Sequence, residues 1–104
     1  MELLPQELKE KLPTIEEIEE NEDPTVLAKY FHPLSNWTWY AYAYDPENRI
    51  FYGLVDGFEL EFGPFSLQEM EEVKVKGLGI ERDLHFEPMK LSELHKKLKA
   101  GKHV

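Results

Sequence analysis

The stretch from Trp37 to Phe62 constrains the fold most, because it is rich in aromatic residues and is divided by two turn sequences. Twelve of the thirteen aromatic residues in the chain lie between positions 30 and 65. Aromatic side chains favour β-strands, whereas the sequences DPEN at 45–48 and DG at 56–57 favour turns. We therefore predict an antiparallel β-meander with strands at 37–44, 49–55 and 58–62.

The lengths of the two turns predict how these strands pair. The DG sequence is typical of a two-residue type I′ turn, which needs a positive φ at both positions. The DPEN sequence is predicted to be a loop of four residues. A shift of one residue would turn two glutamates of the last strand into the core, so we expect the register to hold. The predicted opposite pairs are Val55 with Phe58, Tyr44 with Arg49, and Tyr40 with Gly53.

Shorter elements are predicted on either side of the meander. Residues 25–31 fit a helix or a strand, and the two aromatics at their end favour a fourth strand. Residues 1–23 are predicted to be an acidic N-terminal helical segment whose order is left open. It consists of a short helix at 5–12 and a solvated helix or loop at 14–23 that begins with a capping box of Thr14 and Glu17. The other predicted elements are a helix at 66–75 capped by Ser66, a short strand at 82–86, and a helix at 92–100 capped by Ser92.

These elements predict a single α+β domain over residues 1–104. Its centre is an antiparallel meander of three or four strands within residues 25–62, with short helices packed against it.

Composition narrows the classes of function. The net charge is −9, and residues 1–72 carry 17 acidic and 4 basic side chains. Such a charge repels phosphates and anionic lipid, so we expect neither a nucleic-acid nor a membrane partner. The basic stretch at 96–103 is interpreted as support for the negative end of a helix dipole.

The chain has no cysteine and no apolar run near the roughly 20 residues of a membrane span, and its start is unlike a signal peptide. We therefore expect a cytoplasmic protein.

Short motifs along residues 23–94 carry a family resemblance. They are DP at 23–24, KYFHP at 29–33, SNWTWY at 35–40, YD at 44–45, FYGLV at 51–55, GFE at 57–59, FSLQEMEE at 65–72, GIERDLHF at 79–86 and LSEL at 91–94. In this order they resemble a widespread bacterial family known as domain of unknown function 2958. Its members look like short stand-alone proteins, often encoded beside plasmid or integrated-element genes. The resemblance implies an accessory cytoplasmic role and supplies no activity or catalytic residues.

Residues 81–86 hold the densest set of reactive side chains. If this stretch is extended, Glu81, Asp83 and His85 share one face, where they could serve as acid, base or metal ligands. Alternation with a period of two is not specific, since polar edge strands commonly show it. The alternative is structural: Arg82 and the carboxylates form ion pairs between strand and helix, and the two apolar residues of the stretch are buried. We favour the structural interpretation and predict no metal site.

The aromatic residues Trp37, Trp39 and Tyr40 are the second candidate. Aromatic sheets can stack on bases or sugars, but such platforms are usually surrounded by cations, which are scarce here. We therefore interpret most of these rings as core, and any exposed part as a protein-binding groove. Together with Arg82, where the meander meets the 81–86 stretch, they are the predicted binding residues.

The functional prediction is a non-enzymatic accessory protein that binds another protein. One alternative is a small hydrolase or metal-dependent enzyme that uses Glu81, Asp83 and His85. A second is an acidic DNA mimic, of the anti-restriction type, based on the carboxylates of residues 16–23. No phosphate-binding loop, hydrolase elbow or zinc-protease motif is present in the sequence, so we expect no cofactor.

Overall fold

The predicted meander forms the centre of the computed structural model, which describes residues 1–104. The α+β prediction is confirmed, with short helices packed against an antiparallel sheet. None of the helices has the length and hydrophobicity of a membrane span. The elements are α1 (Gln6–Lys11), a 3-10 turn (Glu16–Ile18), β1 (Thr25–Val26), β2 (Ala28–Phe31), β3 (Thr38–Asp45), β4 (Ile50–Asp56), β5 (Leu60–Ser66), α2 (Leu67–Glu72), β6 (Glu81–Arg82), β7 (Met89–Lys90) and α3 (Leu91–Lys99).

Five strands form the main sheet, in the order β5-β4-β3-β2-β6, while β1 and β7 pair separately. Strand β2 is the predicted fourth strand. Strand β6 adds a fifth but contains only two residues, so the predicted strand at 82–86 is wrong beyond Arg82. The chain turns there because an Asp83 carboxylate oxygen accepts the backbone N–H of His85 at 2.9 Å.

The β4–β5 hairpin differs from the predicted type I′ turn. Its loop has three residues rather than two, so Val55 pairs with Glu61 and not with Phe58. Gly57 also lacks the positive φ that a type I′ turn requires. This glycine serves another purpose, because a Cβ on Gly57 would lie 2.6 Å from the ring of Trp37. The missing side chain lets the indole lie against the hairpin backbone.

Strand β5 continues to Ser66, beyond the predicted end at Phe62. It passes through Pro64, which cannot donate a backbone hydrogen bond. The proline is tolerated because β5 is an edge strand with a neighbour on one side only.

An irregularity between Ala41 and Ala43 sets the pairing of β3 with β4. Tyr42 is an extra residue in β3 with no partner in β4, which makes it a β-bulge. The predicted register, which assumed regular pairing, is therefore wrong. Arg49 stays in the loop with a φ of 57°. The observed pairs are Tyr44 with Phe51, Ala41 with Gly53, and Tyr40 with Leu54, in place of Tyr44 with Arg49 and Tyr40 with Gly53.

Both faces of the sheet are buried, each against different elements. The N-terminal segment and α2 cover one face, and α3 covers the other. The first cluster consists of Leu3, Leu12, Ala28, Tyr30, Ala41, Tyr44, Phe51, Leu67, Met70 and Ile80, and the second of Val26, Tyr40, Leu54 and Leu94.

The N-terminal segment contributes to the core, and its predicted short helix is present as α1. Leu3 and Leu12 are buried, and the buried hydroxyl of Tyr30 donates a 2.7 Å hydrogen bond to the Leu3 carbonyl. The glutamates that follow remain exposed. Thr14 and Glu17 accept each other's backbone N–H groups, as the predicted capping box requires.

The two later helices begin in different ways. Helix α2 is capped as predicted, since Ser66 Oγ accepts the Glu69 N–H at 3.2 Å, but it ends at Glu72 instead of residue 75. Ser92 does not cap α3. Instead Asp23, 69 positions away, accepts the Ser92 backbone N–H at 2.8 Å and the Ser92 hydroxyl at 2.6 Å. These hydrogen bonds hold the pKa of Asp23 below its ordinary value.

We predict that Gly53→Ala severely destabilises the fold. A Cβ on this residue would lie 1.6 Å from the carbonyl oxygen of Tyr40, so the substitution forces β3 and β4 apart. The expected loss in the free energy of unfolding is about 3 kcal/mol or more, measured by urea denaturation. Gly63→Ala is the matched control, since Gly63 pairs with Gly53 and its Cβ would meet no atom within 4 Å. Equal stability of the two variants would contradict the prediction.

Candidate functional site

The residues of the 81–86 stretch do not share one site. Glu81 lines a cavity of about 520 Å³ beside α2 and the N-terminal residues. Asp83 and His85 line a different cavity, of about 420 Å³, beside α3. No group of three or more His, Cys, Asp or Glu side chains is placed to hold a metal ion. The hydrogen bond from His85 to Asp83 comes from its backbone N–H, so the exposed imidazole gains no orienting carboxylate from it.

Asp83 forms an ion pair with Lys29 between two cavities. Lys29 Nζ lies 3.3 Å from Asp83 Oδ2 and also donates to the backbone oxygen of Val104. Burial alone would raise the pKa of Asp83, but the His85 backbone N–H and the Lys29 ammonium hold that pKa below its ordinary value. Asp83 is therefore a charged structural partner at neutral pH, whereas a general base needs a pKa near the working pH.

A larger cavity of about 660 Å³, which we call the aromatic cleft, lies on the other side of Lys29. Two of the predicted binding residues, Trp37 and Tyr40, line it. Trp39 does not, because successive residues of a strand point to opposite faces, and it packs against the first cluster instead. The structure thus places two of the three predicted aromatic residues in the cleft, while the Trp39 ring lies beside the Trp37 ring, with centroids 6.1 Å apart.

Basic side chains from the C-terminal residues line part of the aromatic cleft. Lys102 and His103 line the cleft, because the residues after α3 return to the sheet, where Val104 contacts Lys29. The lysines at 96, 97 and 99 lie in the last turn of α3, where they favour the helix dipole. The whole basic stretch was predicted to have that role, so the contribution of Lys102 and His103 to the cleft was not expected from the sequence.

The exposure of Phe58 was not predicted either, because the expected register placed this residue in a strand opposite Val55. Phe58 lies at the tip of the β4–β5 hairpin and is 94% exposed. Its ring meets the Trp37 ring edge to face, with centroids 5.4 Å apart and planes at 85°. We call Trp37 and Phe58 the aromatic tip. The one sequence signal for exposure was the position of Phe58 beside a glycine in a turn.

Arg82 lies apart from the aromatic cleft and lines a cavity of about 270 Å³ near the N-terminal segment. It pairs with Tyr30 across β2 and β6. Burial raises the pKa of Tyr30, and the positive charge of Arg82 opposes that shift. The structural interpretation that we favoured is wrong on two points: Arg82 forms none of the ion pairs in the structure, and Leu84, which was expected to be buried, is 63% exposed.

The acidic residues 16–23 form no long helix. Glu16–Ile18 is a single 3-10 turn, so these carboxylates do not follow one another along a helix face. A helical mimic of DNA would need such a row of charges.

We predict that Asp83→Asn lowers stability at neutral pH and that this difference disappears in acid. A carboxylate with a depressed folded pKa contributes stability that is complete above its unfolded pKa, about 3.9 for Asp. The contribution is lost as the pH falls through the lower folded pKa. The free energies of unfolding of the two proteins, from urea denaturation across pH, should therefore differ near neutrality, begin to converge near pH 4 and meet once the pH is below the folded pKa of Asp83. Glu20→Gln, at an exposed site without an ion pair, is the control. A constant difference at every pH would refute the assignment.

Comparison with known proteins gives one match. The model of the family described as Protein of unknown function (DUF2958) matches residues 3–103 of the 104-residue chain. No curated protein and no solved structure matches it. The matched region includes every strand of the sheet, the aromatic tip and Arg82. The resemblance drawn from the sequence is thus confirmed, and the chain belongs to the DUF2958 family of proteins of unknown function.

Proposed function

We propose that this protein is a non-enzymatic accessory protein of the bacterial cytoplasm that binds another protein through its aromatic tip and aromatic cleft. The observation that carries the proposal is the exposure of Phe58, which is 94% accessible in the loop of a hairpin whose two strands belong to the sheet. Burial of the phenyl ring by a partner contributes roughly 25 cal/mol of favourable free energy for each Å² of apolar surface that is removed from water.

The aromatic tip is ordered before any partner arrives. The Trp37 ring lies against Gly57 and also contacts the Phe58 ring edge to face. Such preorganisation lowers the entropy cost of binding, and rigid aromatic anchors are common at the centre of protein interfaces. Because Trp37 also lines the aromatic cleft, the two features form one continuous surface.

The charge of the hairpin indicates the kind of partner. Residues 50–66 carry three carboxylates, of Asp56, Glu59 and Glu61, and no lysine or arginine. A matching partner presents an apolar pocket for Phe58 with basic side chains around it. Electrostatic complementarity of this kind speeds association and weakens as salt is added.

The positions of the reactive side chains also support binding over catalysis. Asp83 is engaged by Lys29, and Glu81 lines a separate cavity. The absence of cysteine agrees with a reducing compartment such as the cytoplasm.

We predict that a photocrosslinking amino acid in place of Phe58 captures a specific protein in cells of the source organism. The same amino acid in place of Leu84 is the matched control, since Leu84 is also an exposed apolar residue, 63% accessible, but lies in the turn after β6. Mass spectrometry should identify a protein that is crosslinked from position 58 and not from position 84. Identical products from both positions would count against the proposal.

We further predict that Phe58→Ser weakens binding to the captured partner by about tenfold or more, as expected for an interface anchor. The free energy of unfolding should change by less than about 0.5 kcal/mol, because the side chain is exposed. Leu84→Ser should leave both quantities unchanged. Unchanged affinity of the Phe58 variant in a titration with the purified partner would refute the role of the tip.

A further inference from the structure

We infer that Arg82 forms a binding site for a carboxylate group attached to a small apolar group. The site is the cavity of about 270 Å³ that Arg82 lines together with the N-terminal segment, which we call the Arg82 cavity. It is separate from the aromatic tip and cleft, so this inference does not depend on the proposed function.

Arg82 has no carboxylate within ion-pair distance. The other arginine, Arg49, lies 2.7 Å from Glu71, and Lys29 is paired with Asp83. Arg82 forms no ion pair, although the chain contains 21 acidic residues. A partly buried guanidinium is normally paired with an anion.

The guanidinium is also incompletely hydrogen-bonded. Arg82 Nε is buried and has no hydrogen-bond partner, and it is the only buried side-chain nitrogen or oxygen of the protein in this condition. Buried donors without partners are rare in folded proteins because they lose their hydration without compensation. Because Nε is enclosed, a ligand in the cavity would have to bind the terminal N–H groups, whose planar arrangement suits the two oxygens of a carboxylate.

The walls of the Arg82 cavity select the ligand. Lys11 and Glu7 also line it, but they are 3.8 Å apart and offset each other, so one positive charge remains. A single positive charge can neutralise a monoanion but not a phosphate dianion, and the net charge of −9 on the protein repels a dianion more strongly. The apolar part of a ligand would contact the remaining lining residues, which are Pro5, Leu8, Leu27, Phe86 and Pro88.

The test is an NMR titration of the full ¹⁵N-labelled chain with isovalerate, a branched monocarboxylate. We expect saturable shifts of the Arg82 Nε–H signal and of the backbone signals of Leu8 and Leu27. Isovaleramide has the same shape without the charge and should shift these signals by about tenfold less at equal concentration. This comparison uses the unchanged protein. Equal effects of acid and amide, or no saturable shift with either, would overturn the inference.

Two variants separate a site from general charge effects. Arg82→Gln should weaken isovalerate binding about tenfold or more. Arg49→Gln removes the same charge at a different site and should leave isovalerate binding unchanged. Arg82→Lys keeps the charge but lacks the planar fork, so we expect it to bind weakly as well. Binding that survives in Arg82→Gln, or is lost equally in Arg49→Gln, would contradict the site.

Two further ligands identify the source of the carboxylate. A short peptide that ends in a valine carboxylate is compared with the same peptide carrying a terminal amide. Tighter binding of the free-acid peptide than of isovalerate supports a peptide terminus, and the reverse order supports a free small acid. If inorganic phosphate binds to the Arg82 cavity but neither isovalerate nor the free-acid peptide does, the assignment is overturned.

Discussion

The close approach of the Tyr40 carbonyl to Gly53 fixes how β3 pairs with β4, and both cores depend on that pairing. A side chain at Gly53 would overlap the carbonyl oxygen, so only glycine allows the strands this spacing. The bulge that follows at Tyr42 turns Tyr44 to the same face as Phe51 and leaves Tyr40 on the face of Leu54. One hairpin therefore supplies large side chains to both clusters, and a chain of 104 residues can bury both faces of its sheet.

A few polar contacts between distant segments hold the covering elements on this sheet. The Tyr30 hydroxyl binds the Leu3 carbonyl on one face. On the other, Asp23 caps α3, and Lys29 joins Asp83 to the last residue. Several carboxylates of this acidic chain thus act as caps or ion-pair partners, while those of the β4–β5 hairpin remain beside the exposed Phe58. That division is the physical basis for the proposed protein-binding surface.

The candidate site was predictable in part. Trp37 and Tyr40 were identified from aromatic content, and the structure places both in one cleft. Phe58 was missed because one extra loop residue changes the pairing of the whole following strand. The shared face of Glu81, Asp83 and His85 required a continuous strand. That strand ends at Arg82, since the Asp83 carboxylate binds the backbone two residues on, and this competes with strand pairing.

The sequence alone determined the α+β class, the order of the meander strands, the capping box of Thr14 and Glu17, and the cap of α2 at Ser66. These features depend on side-chain preferences and hydrogen bonds that span a few residues, which a single sequence displays directly. The tertiary structure decided the strand register, the burial of Leu3 and Leu12, and the capping of α3 by Asp23. It also left the buried Nε of Arg82 without a hydrogen-bond partner. Each of these depends on which distant residues meet, and alternatives that differ by one residue look alike locally until packing and hydrogen bonding select among them.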